Sequence, residues 1–272
     1  MLKTRVITAL VLLAILLIVL YSESFLFFAL VSAAFFGAAA WECFRLFKNS
    51  QPVLGAVVWT AVFGFIVFRG DLSGATLLFA LCMAIWAVRL TPSLAVGLPP
   101  LDGFGNRLLN GFYGVAILGC FVAIVALFGQ SPLYLLSVLA IVWVADIGAY
   151  FAGKAFGQRK LAPSISPGKS WEGAVGGWIA VLLLAAASAM HPALADTFAP
   201  RVLAGWGWAG FALVMTVMVA ASIVGDLFES QLKRRAGMKD SSNLLPGHGG
   251  VLDRIDALIP TLPFAVLVGA WL

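Results

Sequence analysis

Hydrophobic and polar positions in this chain fall into blocks. Nine apolar runs lie at about 5–21, 24–44, 53–68, 72–90, 111–128, 132–153, 171–190, 203–228 and 252–272, with short polar stretches between them. About 20 apolar helical residues cross the roughly 30 Å of hydrocarbon in a bilayer. The pattern therefore predicts an all-α, polytopic transmembrane protein of about nine spans, the first, third and last having the least sharply defined lengths. Pro260 and Pro263 predict a kink in the last run, because each removes a helical hydrogen bond. The first run follows Lys3 and Arg5 as a signal peptide would. It lacks an A-x-A site and passes through YSES into the next apolar run, which predicts an uncleaved span.

Composition agrees with that class: 62% of the 272 residues are hydrophobic and 11% charged. Basic residues set the orientation. With the N-terminus in the cytoplasm, 15 of the 17 lysines and arginines face the cytoplasm, leaving Arg69 and Arg201 outside. An odd number of spans then puts the C-terminus outside. The pI near 9.3 thereby refers to a membrane surface and anionic ligands, with no call for nucleic acid. Cys43, Cys82 and Cys120 sit in or beside apolar runs without metal or disulfide spacing and read as small membrane-helix residues. His191 reads as a solvated loop residue.

One stretch breaks the apolar pattern. Residues 226–256, DLFESQLKRRAGMKDSSNLLPGHGGVLDRID, hold five of the twelve acids and five of the bases. As the end of the eighth span, Asp226, Glu229/Ser230 and Lys233 share one helix face. A Glu229–Lys233 ion pair accounts for part of it. Asp226 is left as an acid buried by apolar neighbours, and such acids mark functional sites. Gly247, Gly249 and Gly250 frame His248 and allow close backbone approach to an anion. Asp253 and Asp256 flank Arg254 at the start of the last run. Helix capping needs only one of those acids. Oxygen donors without a Cys/His set favour Mg²⁺ over zinc.

A second polar cluster covers 143–173. Asp146 falls about 21 Å into the sixth span, level with Asp226. Gly153 and Gly157 form a G-x-x-x-G pair suited to helix packing. Ser166, Lys169, Ser170 and Glu172 open the seventh span, where a phosphate site and a plain capped turn are both open readings; the Walker A spacing is absent. Acids for metal, bases for phosphate and glycine-rich loops at the cytoplasmic edge suit phosphoryl or nucleotidyl transfer between a soluble and a lipid substrate.

The pattern S-x-L-K-R-x4-K-D-x3-L-L-P-G-H-G-G-x-x-D-R-x-D, from Ser230 to Asp256, resembles the signature of the phosphatidate cytidylyltransferase family. Trp143, Asp146, Tyr150 and the segment Ser166–Gly173 are similar to that family too. The resemblance covers roughly the C-terminal half and divides the chain into membrane spans (1–130) and a catalytic membrane region (131–272). It implies the reaction of CTP with phosphatidate to give CDP-diacylglycerol and pyrophosphate, using Mg²⁺, with a second cation left open. It implies metal at Asp226 and Asp253, with Asp256 and Asp146 in support. Lys169, Lys233, Arg254 and Lys239 would meet phosphates or the lipid head. Ser230, Arg234, Gly249, Gly250 and His248 complete the expected site, with Ser166 and Glu172 beside it, His248 shaping the loop or contacting a phosphate. Membrane lipids as partners, a homodimer and a bacterial inner-membrane location belong to the same resemblance. A carrier would place its acids near the midplane among broken helices; here they cluster at one face. The D-G-x-x-A-R pattern of CDP-alcohol phosphotransferases is absent.

Overall fold

The structure, a computed structural model, describes residues 2–22, 24–69 and 75–272. The side chains of Lys3 and Arg5, counted above for orientation, lie outside the described set, as do residues 72–74 at the start of the fourth run. The fold is helical: α1 Leu2–Tyr21, α2 Phe25–Leu46, α3 Pro52–Phe68, α4 Ala75–Ile85, α5 Thr91–Val96, α6 Phe104–Gln130, α7 Pro132–Phe156, α8 Trp171–Ala189, α9 Phe198–Arg235, α10 Leu252–Ile255 and α11 Leu258–Gly269. One antiparallel hairpin, β1 Lys160–Ala162 with β2 Ser166–Ser170, joins α7 to α8.

Among the described residues, six helices are long and apolar enough to cross a membrane, and three shorter apolar helices lie at Val6–Tyr21, Pro52–Phe68 and Leu258–Gly269. These three match the first, third and last predicted runs. The last run is interrupted on the N-terminal side of its prolines, as they predict, while Asp256 and Ala257 keep helical dihedrals. It breaks between α10 and α11, at Asp256 and Ala257. Pro260 follows Asp256 by four residues, and a proline ring crowds the carbonyl at that spacing. Pro92 stands in the same relation to Val88, within the π-helical turn Trp86–Leu90 that joins α4 to α5. α9 is two helices merged at Gly207, whose φ of 65° is tolerated by glycine.

α6 runs through the centre, with almost every side chain from Tyr113 to Phe128 buried. A helix apolar on every side is stable only when surrounded, and α2, α3, α4, α7 and α11 pack around it. Phe36 stacks on Phe63, both meet Phe121 edge-on, and Phe28 stacks on Phe128 at 3.8 Å. This core continues without a break from α1 to α11. Cys43, Cys82 and Cys120 are buried and free, as ordinary packing residues.

α7 and α8 make the closest helix pair, because small residues line their contact. A Cβ on Gly153 would meet the Ser170 hydroxyl at 3.2 Å, and one on Gly148 would come within 2.9 Å of Ala180. Contact at backbone distance is what small residues give membrane helices. It fixes the hairpin between the two helices, and with it Lys169, against the end of α9.

Candidate active site

A cavity of about 620 Å³ opens where α7, the hairpin, α9 and the 236–256 segment meet. α7 contributes Asp146 and Lys154 to its wall. The hairpin contributes Ser166 and Lys169, and α9 contributes Asp226 and Lys233. The following loop and turn supply Asp240, Asp253, Arg254 and Asp256. Ala145, Ala149, Val219 and Ile223 add apolar lining. Ionic and apolar side chains thus line the same cavity.

Ion pairs organise the polar end. Lys169 Nζ lies 2.6 Å from Asp226 Oδ2, and the Ser230 hydroxyl donates to Asp226 Oδ1 at 3.3 Å. Lys233 is held twice. One turn earlier on its own helix it meets Glu229, whose carboxylate is fully buried, and across the cavity wall it meets Asp253 Oδ1 at 2.6 Å. The other Asp253 oxygen accepts from the Ser241 and Gly250 backbone N–H groups and the Ser241 hydroxyl, at 2.7–2.9 Å. Burial alone would push the Asp253 carboxyl up. The Lys233 ammonium and the Gly250 and Ser241 amides outweigh it and hold the group below the usual aspartate range. Gly249, at φ 83°, makes the turn that aims the Gly250 amide.

Of the residues singled out by sequence, the structure brings Asp146, Ser166, Lys169, Asp226, Lys233, Asp253, Arg254 and Asp256 to one cavity. Gly249, Gly250 and Ser230 act behind them. Four lie elsewhere. Lys239 lines an adjoining cleft with Trp41 and Arg45. Arg234 is exposed, and His248 sits in the turn closed by its own N–H to the Leu245 carbonyl. The Glu172 carboxylate accepts from the N–H groups of Gln158 and Arg159, tying the chain as it leaves α7. Ser170 caps α8 through the Gly173 N–H and also lines the cavity.

One residue of the cluster lies in the half that sequence patterns left generic. Glu42, on α2, is fully buried. Its carboxylate accepts from the Val251 and Leu252 amides at 3.0 and 2.6 Å and from the hydroxyls of Ser241 and Ser242. The signal available in the sequence was an acid within the apolar run FFGAAAWECF, which marks a site on energetic grounds.

The donor set fits a hard cation in kind. Among the described residues no three His, Cys, Asp or Glu side chains form a metal cluster alone. Mg²⁺ commonly takes one or two carboxylates and completes its shell with water and phosphate oxygens. Asp226 and Asp253 are carboxylates in a cavity lined by neither His nor Cys. In this structure a lysine ammonium stands beside each.

The Cytidylyltransferase family model matches residues 3–272. The chain is 44% identical over 284 residues to a phosphatidate cytidylyltransferase of Pseudomonas aeruginosa, covering 99% of this chain and 98% of that one. The corresponding protein of Haemophilus influenzae is 38% identical over 288 residues, 97% of each chain. That of Thermotoga maritima is 38% identical over 156 residues, 57% of this chain and 55% of its own.

Proposed function

We propose that this chain, which belongs to the cytidylyltransferase family, is a phosphatidate cytidylyltransferase that joins CTP to phosphatidate, releasing pyrophosphate and CDP-diacylglycerol. The reaction is assigned to the cavity between α7, the hairpin, α9 and the 236–256 segment. The observation that supports this location is the meeting of Asp226 and Asp253 with Lys169, Lys233 and Arg254 in a cavity that also has apolar lining. A diacyl substrate needs hydrocarbon beside its phosphate, and a triphosphate needs cations.

In the reaction, a phosphatidate oxygen forms a bond to the α-phosphorus of CTP while the bond from that phosphorus to the bridging oxygen of the β-phosphate breaks. The attacking phosphate oxygen already carries negative charge, so no side-chain nucleophile or strong base is required. Asp226 and Asp253 are the residues that would hold Mg²⁺. The ion would supply positive charge that stabilises the phosphate oxygens. Lys169 pairs with Asp226 through one ammonium contact. Lys169, on the cavity wall, is the residue that would meet a substrate phosphate beside Asp226. Arg254 brings a planar guanidinium whose fork matches two phosphate oxygens. Lys233 stays between Glu229 and Asp253 and keeps the carboxylate cluster near neutral.

The cytoplasmic position of this cavity, with the N-terminus cytoplasmic and the C-terminus outside, belongs to the same proposal, as does a bacterial inner membrane. Its support is the grouping of Lys154, Lys169, Lys233 and Arg254 at the cavity, while Arg201 packs near Gln130 and Tyr134 at the far end of α7.

Purified protein in detergent, given phosphatidate, Mg²⁺ and each of the four nucleoside triphosphates, tests this reading by pyrophosphate release. Release is expected with CTP, only with phosphatidate present, and is lost in folded Asp226→Asn and Asp253→Asn. Release that survives both substitutions moves the site elsewhere. No lipid-dependent release from folded wild-type protein removes the assigned reaction.

A further inference from the structure

Glu42 is expensive where it stands. A carboxylate four residues before the end of α2 opposes the helix dipole, and full burial denies it water. A buried carboxylate persists only when its lone pairs are filled. Here two backbone N–H groups and the Ser242 hydroxyl fill them, with the Ser241 hydroxyl in reach as a fourth donor, all from residues 241–252, about two hundred positions along the chain. Ser241 lies between two carboxylates: its hydroxyl is 3.1 Å from Glu42 Oε2 and 2.9 Å from Asp253 Oδ2. With one proton it donates to one of them at a time. Gly250 is pinched in the same place, since a Cβ there would lie 2.6 Å from the Glu42 carboxyl carbon. A second N-terminal contact supports the arrangement, as Thr8 on α1 donates to the Pro246 carbonyl at 2.8 Å.

We propose that Glu42 is a positioning residue for the transfer reaction. It clamps Ser241, Ser242 and the Val251 and Leu252 amides, and so fixes the loop that aims Asp253 at Lys233 and the cavity. The inference rests on the reading of that cavity as the reaction site. Glu42 touches neither substrate; it acts through Ser241 and the loop backbone. The first two helices are thereby part of the machinery.

The test compares Glu42→Gln, Ser241→Ala and the double variant in phosphatidate-dependent pyrophosphate release, with Asp226→Asn as control. Glutamine keeps the shape but turns an NH₂ group toward donors, so at least two of the four lose their acceptor. Residues that orient a ligand-bearing carboxylate typically cost about 10–100-fold when changed. A kcat loss of that size is expected for folded Glu42→Gln, with KM for CTP and phosphatidate within about threefold of wild type. The double variant is expected to lose little beyond the larger single loss, because both changes disable one clamp. Losses that multiply, or a folded Glu42→Gln at wild-type kcat, overturn the proposal. Where Glu42→Gln does not fold, Ser242→Ala removes one donor and leaves the carboxylate three. A kcat decrease at unchanged KM is expected there, and wild-type kcat overturns the idea. An active Asp226→Asn instead removes the site reading on which it rests.

Discussion

Lys233 is the side chain whose removal should separate stability from activity. Its ammonium is nearly buried and lies between Glu229, which is fully buried, and Asp253. Lys233→Met leaves Glu229 with no other partner among the described residues, since neither of its oxygens has a hydrogen-bond donor besides that ion pair. Breaking a buried pair from one side costs about 3–5 kcal/mol. At roughly 2–4 °C per kcal/mol for a chain of comparable size, the unfolding midpoint should fall by roughly 6–20 °C. Asp253 suffers less, because the Ser241 and Gly250 amides still hold its other oxygen. Adding Glu229→Gln removes the stranded charge and should restore at least half of the lost stability. It should restore none of the activity, because Asp253 still lacks its ammonium. Thermal unfolding in detergent, followed by tryptophan fluorescence and paired with CTP-dependent pyrophosphate release, reads both quantities. A Lys233→Met midpoint within about 2 °C of wild type, well below the range worked from the buried pair, would refute the reasoning. Recovery of activity with Glu229→Gln would refute it as well.

Gly250→Ala places a Cβ 2.6 Å from the Glu42 carboxyl carbon and should destabilise by about 1–3 kcal/mol, as overpacking does, with activity lost in proportion to the displaced loop. Gly111→Ala is its control: nothing lies within 4 Å of the added carbon, so thermal unfolding and turnover should match or exceed wild type. The pH dependence follows from Asp253, whose folded pKa is lowered. Its stability contribution is complete above the unfolded aspartate value of about 3.9. It is lost as pH falls through the lower folded value. The gap in unfolding midpoint between wild type and Asp253→Asn should therefore be constant from pH 8 to about pH 5 and narrow below about pH 4. A gap that widens on acidification refutes the ion-pair account.

The helical, membrane-spanning character was legible because it depends on a block pattern that any helix must satisfy in hydrocarbon. Breaks inside the blocks were partly legible. Pro260 and Pro263 announced a disturbance in the last run, but its place, at Asp256 and Ala257, depends on the carbonyl four residues before Pro260. Gly207 looked like any other membrane glycine until its φ was seen. The hairpin at 160–170 was hidden for another reason. Its strands are short, and one carries Pro167 and Gly168, both poor strand formers, so tertiary contact with α9 and α8 outweighs local propensity there.

The same distinction separates the parts of the site. Asp226, Ser230 and Lys233 were legible because their relation is local: one helix face, three to seven residues apart. Asp253 and Lys169 were legible as chemistry but not as partners. Nothing in the sequence says that Lys233 reaches twenty residues forward to Asp253, or that Lys169 crosses from the hairpin to α9. Lys239 and His248 show the converse. Their place within a polar signature suggested cavity residues, yet His248 sits in the turn Leu245–Gly249 and Lys239 lines the adjoining cleft. Glu42 lies furthest from its partners. Its only local trace is an acid in an apolar run, and burial makes that trace informative. Arg45, the cation three residues on in the same helix, lies over the Trp41 ring, and the Glu42 carboxylate takes its donors from elsewhere in the fold. The one nearby segment rich in hydroxyls and glycine backbone is the loop at 241–252. The energetic cost of the isolated acid thus predicts that a distant partner exists, while its identity needs the three-dimensional path of the chain.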